Sequence, residues 1–322
     1  MIPDFNWQDF WTHPWSPREL GTTIPIVVQC FLVSAACGWI GILLIIRKLA
    51  LVGDAISHSV LPGIVIVAVL FQTLTGPLVM IGAMIAGFVT TLLIEWVHKS
   101  SRVKPDAAIG IIFVSMFALG VLMISQLKGS IHLDADCVLF GEISEVAMPG
   151  PETIPPQIVQ SFIVLLLTIA LTLLFYKEIV VSSFDPILAT SIGIKAKWLH
   201  YGKMAWLSVV VVSAFESVGS VIVVAMLIIP GSFALLLTDR LWKALIISIV
   251  HAAISSVLGY HFAMWLNANA PATVVTTGLG LFILAWFFSP HQGIIPIWLA
   301  RADLRDEMDR SENRREADPT GY

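Results

Sequence analysis

Leu51-Val-Gly-Asp54-Ala-Ile-Ser-His58-Ser-Val-Leu-Pro62-Gly63, continued by Ile-Val-Ile-Val-Ala-Val-Leu-Phe71, is the stretch that decides the fold. Its flanks are apolar enough for a helix that crosses a bilayer, yet it holds a carboxylate and an imidazole four residues apart. Positions i and i+4 share one helix face, about 6 Å apart, so Asp54 and His58 can grip one ion together. An ionisable group at membrane depth is costly and marks a pathway or a site by default. Carboxylate oxygen plus imidazole nitrogen suits first-row divalent ions such as manganese, iron or zinc, without a thiolate. The competing reading is a polar pair that pins helix packing, but such a pair must offset its own desolvation. Two side-chain ligands make a weak site, which suits an ion that has to enter and leave.

Composition agrees with a bilayer as solvent. Of 322 residues, 57% are hydrophobic and only 12% charged, against about 25% charged in soluble domains. The mean hydropathy is +0.88. Eleven tryptophans fit anchoring at headgroup level. The net charge of -4 is too small for its sign to carry meaning. Cys30 and Cys37 lie seven apart on one helix face and Cys137 stands alone in a loop, so the three read as packing residues, not a disulfide framework. The first twenty residues hold one basic residue, Arg18, and no apolar core of a secretory signal. With Phe5, Trp7, Phe10, Trp11 and Trp15 among polar residues and prolines, they suit a segment lying on the membrane surface.

About twenty apolar residues cross a bilayer. Nine such spans are expected, near 24–46, 52–74, 77–98, 106–127, 157–181, 201–219, 221–238, 244–265 and 272–289. Eight remain possible, because no polar loop divides 201–238, where Glu216-Ser-Val-Gly219-Ser reads as a tight turn or broken helix. The chain is thus expected to be all-α and polytopic, with an interfacial segment at 1–22, a transmembrane domain at 23–293 and a charged tail at 294–322.

Every odd-numbered span ends in a basic cluster. Arg47 and Lys48 follow the first; Lys99, Arg102 and Lys104 the third; Lys195, Lys197 and Lys203 the fifth; Arg240 and Lys243 the seventh. Five arginines between 301 and 315 follow the ninth. The segment 129–156 carries Asp134, Asp136, Glu142, Glu145 and Glu152 and no Lys or Arg. By the positive-inside rule the basic ends face the cytoplasm, which places the amino terminus outside and the carboxyl terminus inside.

Two Pro-Gly pairs, Pro62-Gly63 in the second span and Pro230-Gly231 in the seventh, are expected to break their helices and free carbonyls. Transporters place interrupted helices at corresponding points of two repeats, near the substrate; a packing kink is the simpler account of the second pair. Glu95, His98, Glu216, His251 and His261 are further intramembrane candidates for a pathway, whereas His132, Asp134 and Asp136 read as solvated loop residues. No G-x-x-x-x-G-K-[ST] phosphate loop and no H-E-x-x-H zinc motif occurs. The sequence therefore supports movement of a substrate, not chemistry on one.

These features resemble the permease subunits of bacterial ATP-binding-cassette importers for manganese, zinc and iron, the ABC-3 family. The resemblance rests first on 47–63, which is similar to the family's hallmark and its metal-gating Asp and His. It is supported by Ala108-Ile-Gly110-Ile-Ile-Phe-Val-Ser115, by Asp136-Cys-Val-Leu-Phe140-Gly141-Glu-Ile143 and by Phe184-Asp185-Pro186 with Ala189 and Gly193. Val218-Gly219-Ser-Val-Ile-Val-Val-Ala225-Met-Leu-Ile-Ile-Pro230 and Ser289-Pro290-His-Gln-Gly293 complete it. The resemblance covers roughly 24–293 and leaves the aromatic amino-terminal segment and the charged tail outside. It implies a type II-like importer permease in the bacterial plasma membrane, with no enzymatic activity and no permanently bound cofactor, its metal ion being cargo. Implied partners are an ABC ATPase subunit that hydrolyses ATP, a metal-binding solute receptor, a second permease copy or sister permease, and membrane lipid, with no nucleic acid. The alternative is an ion-gradient-driven secondary transporter using the same pair.

The coupling segment is legible on its own. Residues 181–201 join spans five and six and are too few for a domain. Asp185 can cap a helix whose first turn holds Pro186. A short helix carrying Ile187, Leu188 and Ala189 and ending near Gly193 would lie along the membrane face, where an ATPase can push it.

Overall fold

The computed structural model describes residues 7–73, 77–126, 154–289 and 293. Their helices, in chain order, are α1 (Trp7–Thr12), α2 (Leu20–Ile46), α3 (Ala50–Ser59), α4 (Leu61–Phe71), α5 (Pro77–Ser100), α6 (Pro105–Gln126) and α7 (Pro156–Leu174). There follow α8 (Tyr176–Phe184), α9 (Pro186–Ser191), α10 (Ala196–Val218), α11 (Ser220–Leu237), α12 (Leu241–Leu266) and α13 (Ala270–Phe288). The acidic segment 129–156 and the tail 294–322 lie almost wholly outside the described residues.

Eight passes are long and apolar enough to cross a membrane, with α3 and α4 forming one of them. The ninth, α10, is 23 residues long and is diluted by Lys203 and Glu216. Its contacts nevertheless carry it from one end of the bundle to the other. Near its start His200 meets Arg47, just past α2. Near its end Ser217 accepts a hydrogen bond from Gln29 in the second turn-pair of α2, at 2.6 Å. Eighteen residues of α2 separate those levels, about 27 Å of helix, close to the ~30 Å of a bilayer core. Eight candidate spans thus stand among the described residues, and the contacts of α10 give it the reach of a ninth.

Gly219 divides α10 from α11 at φ 83°, ψ 159°. That region is open essentially only to glycine, so one residue turns the chain where no polar loop exists. Span five also ends earlier than its hydropathy suggests. Helix α7 stops at Leu174, and α8 restarts after Phe175 with the polar Tyr176-Lys-Glu178.

Helix α2 is the hub, buried along most of its length and packed on α11, α12, α7 and α10. It admits α11 through two glycines. A Cβ on Gly38 would sit 2.8 Å from Pro230 Cβ, and one on Gly41 would overlap the Leu227 carbonyl. In a bilayer, where lipid is as apolar as Leu, such small-residue contacts hold helices together by close approach. Here the sequence expectation of a break at Pro230-Gly231 is corrected. Helix α11 runs unbroken through Pro230, whose ring fills the notch left by Gly38. The outward faces of α6, α7 and α13 expose Leu, Ile, Val and Phe, as lipid-facing surfaces do.

Gly41→Ala is expected to destabilise the protein by at least the ~1–3 kcal/mol typical of an overpacked core, because the added carbon meets backbone. Gly280→Ala, which meets nothing within 4 Å, should be neutral. Thermal unfolding of the two variants in detergent is the comparison; equal melting temperatures would remove Gly41 from the hub.

Candidate functional site

Helix α3 is set by its burial pattern. Val52, Gly53, Ala55, Ile56 and Ser59 face the bundle, with Gly53 against Leu227 of α11. Asp54 and His58 fall on the remaining face, half-buried, with His58 Nε2 3.5 Å from Asp54 Oδ1. Ser57 and Ser59 turn their hydroxyls onto their own backbone, donating to Gly53 O and Ile56 O, and so do not compete for the pair. Side-chain exposure of 39% for Asp54 and 21% for His58 leaves both reachable.

The imidazole is held from the side by α6. Phe113 lies 5.5 Å away and Phe117 6.0 Å away, the latter edge-on. These rings restrict the histidine's rotation and leave its Nε2 beside the carboxylate. Just beyond, the helix is disturbed at Val60, and Pro62 falls in the first turn of α4, where a missing N–H is tolerated. Pro62 has no N–H to give the carbonyl of His58, four residues earlier. Gly63 lets α4 press onto α5, since its Cβ would overlap Gly82 O and lie 2.7 Å from Ala86 Cβ. Gly120 of α6 closes on Leu61 and Pro62 in the same way. The pair is thus carried by a span whose lower half is clamped from two sides.

His251, His261, Glu95 and His98 make structural contacts. His251 donates from Nε2 to Gly278 O at 3.1 Å and packs on Phe233. His261 donates from Nδ1 to Val257 O at 2.7 Å, which leaves Nε2 to accept from Trp15 Nε1–H at 3.1 Å. That bond, with the buried Phe10, docks the amino-terminal segment on α12. Glu95 pairs with Lys99 and with His200, and His98 bonds Val103 O. Glu216 lies in the last turn of α10, and His132, Asp134 and Asp136 lie outside the described residues. Among the described residues, no group of three or more His, Cys, Asp or Glu side chains converges on one point. Asp54 and His58 therefore stand as a pair with no third such side chain beside them among the described residues.

Farther along the chain, Asp185 caps α9 as its sequence suggests. Its Oδ1 accepts from Ile187 N at 3.0 Å and Leu188 N at 2.9 Å, and Pro186 opens the helix. Gly193, at φ 87°, ends the turn. Ala189 is fully buried and anchors the helix, whereas Ile187 is 81% exposed and Leu188 half-exposed. Phe184 and Ile192 extend this apolar surface. A polar relay fixes the segment to the bundle: Arg47 donates to Ser182 O and to His200 Nδ1, and His200 Nε2 faces Glu95 Oε2 at 3.3 Å.

Sequence reasoning did not find Phe113, Phe117 or this relay. The two phenylalanines are four apart on an otherwise lipid-like span, a spacing that signals a shared face but not which neighbour it meets.

The ABC 3 transport family matches residues 20–289. The chain is 40% identical over 288 residues to the "Manganese transport system membrane protein MntD" of Bacillus subtilis, covering 88% of this chain and 97% of that one. It is 38% identical over 291 residues to the "Zinc transport system membrane protein TroD" of Treponema pallidum, covering 89% and 79%. Among solved structures, "PsaBC from Streptococcus pneumoniae in complex with Fab" superposes with a TM-score of 0.72 at 30% identity, over 88% of this chain and 97% of that one.

Proposed function

Because the chain belongs to the ABC 3 transport family, we propose that it is the permease subunit of an ATP-driven importer for a divalent transition-metal ion: manganese, zinc or iron. The observation that carries this reading is the reachable Asp54–His58 pair on one face of a clamped, proline-disturbed span. Two such permeases facing each other would bring two carboxylates and two imidazoles to one ion, a donor set that suits these metals. The pair binds when the pathway opens outward and releases when the bundle rearranges, so transport needs a difference in affinity between two states. Energy comes from a separate ATPase docked on α9, and a soluble receptor delivers the ion at the outer face. The carboxyl terminus lies in the cytoplasm and the amino terminus outside.

Membrane vesicles test the class. Uptake of radioactive manganese or zinc by the assembled system should collapse without ATP and survive dissipation of the proton gradient. The reverse pattern would make this a gradient-driven carrier. Orientation has its own check. In a variant lacking Cys30 and Cys37, a membrane-impermeant thiol reagent should label Cys137, or a cysteine placed at Ser130, in intact spheroplasts. Labelling only after permeabilisation inverts the topology.

A further inference from the structure

At the end of the bundle that carries Arg47, a cleft of about 440 Å³ opens between α2, α7, α8 and α10. It lies within the ~300–1,000 Å³ range of small-ligand sites, and neither Asp54 nor His58 lines it. Leu171, Phe175 and Trp206 give it apolar walls, and its charged groups are Glu178, Lys195 and Lys203. Lys203 Nζ is buried and has no hydrogen-bond partner, and no ion pair joins it to Glu178 among the described residues. A buried ammonium without a partner is costly, so the cleft is short of one anion.

Where the cleft opens indicates what brings that anion. Leu174, beside Leu171 on the helix surface, is 71% exposed, which makes this flank of α7 lipid-facing. Trp198, at the edge of the cleft, is 75% exposed, as an indole seated at headgroup level is. Basic pockets between transmembrane helices near the cytoplasmic surface suit anionic headgroups. We propose that the cleft binds one anionic phospholipid, its phosphate on Lys203 and Lys195 and an acyl chain along Leu171, Phe175 and Trp206. The cleft is also walled by Ile194 and Lys195, directly after Gly193, so the bound lipid braces the root of α9. This inference stands independently of the metal-import reading.

Native mass spectrometry and thermal unfolding of the purified full-length protein in detergent test it. Phosphatidylglycerol should be retained at one copy per chain and raise the melting temperature. Phosphatidylcholine and inorganic phosphate at the same concentration should do neither. Lys203→Gln should weaken phosphatidylglycerol binding about tenfold, the equivalent of one charge-assisted contact. Gly202 lines the cleft and a Cβ there meets nothing within 4 Å, so Gly202→Leu should displace the lipid without disturbing the fold. If Lys203→Gln does not fold, Gly202→Leu decides alone. Equal binding of phosphatidylcholine, an equal shift from phosphate alone, or parental lipid binding by the folded variants would each overturn the proposal.

Discussion

Asp54→Ala and His58→Ala should each reduce metal uptake to background while the protein stays in the membrane at near-parental amounts. The two halves of that result have separate physical grounds. Loss of uptake follows because each variant removes half of a two-ligand set, and no third His, Cys, Asp or Glu converges there among the described residues. Retention of fold follows because both side chains are partly exposed and neither is the residue of α3 that packs on Leu227, which is Gly53. Neither truncation leaves a buried partner uncompensated, which is what makes breaking a buried pair destabilising. Phe113→Ala should give a milder defect, since it loosens the imidazole without removing a ligand. Uptake by the reconstituted system, measured beside membrane abundance, reads both halves. Normal transport by either alanine variant would end the assignment of the pair as ligands.

Much of this architecture is local and therefore visible in the sequence. The i, i+4 spacing of Asp54 and His58 depends only on helix geometry, and the Asp185-Pro186 cap only on side-chain reach within one turn. The basic clusters at Arg47, Lys99 and Arg240 punctuate the chain because each lies at a helix end. What depends on distant partners is not visible. Pro230 looks like a breaker until Gly38, 192 residues away, is seen to receive its ring. Gln29 gives no sign that it meets Ser161 and Ser217. His261 resembles a pathway histidine until Trp15 occupies its free nitrogen. The end of span five was misplaced because hydropathy averages across Phe175, where the helix actually restarts.

The double substitution Ile187→Ala, Leu188→Ala should leave a permease that folds, keeps Asp54 and His58, and yet loses both its ATPase on purification and its uptake. Exposed substitutions ordinarily move stability by no more than about 0.5 kcal/mol, so the permease itself should melt as the parent does. The helix also keeps its cap, because Asp185 bonds the backbone N–H groups of 187 and 188 and not their side chains. Ala189 keeps its anchor in the bundle. Only the apolar knobs presented to the aqueous side are removed, and exposed apolar clusters of this kind mark protein contacts. A contact made by few residues concentrates its binding energy in its central apolar anchors, which is why two truncations of three carbons each should suffice to release a whole subunit. Asp185→Ala should act differently, fraying α9 at a local cost of about 0.5–2 kcal/mol and weakening docking without abolishing it. Co-purification of tagged permease with its ATPase, measured together with ATP-dependent uptake, separates the cases. A double variant that retains stoichiometric ATPase and transports at the parental rate would move the contact elsewhere, to the 99–106 connection or the carboxyl-terminal tail.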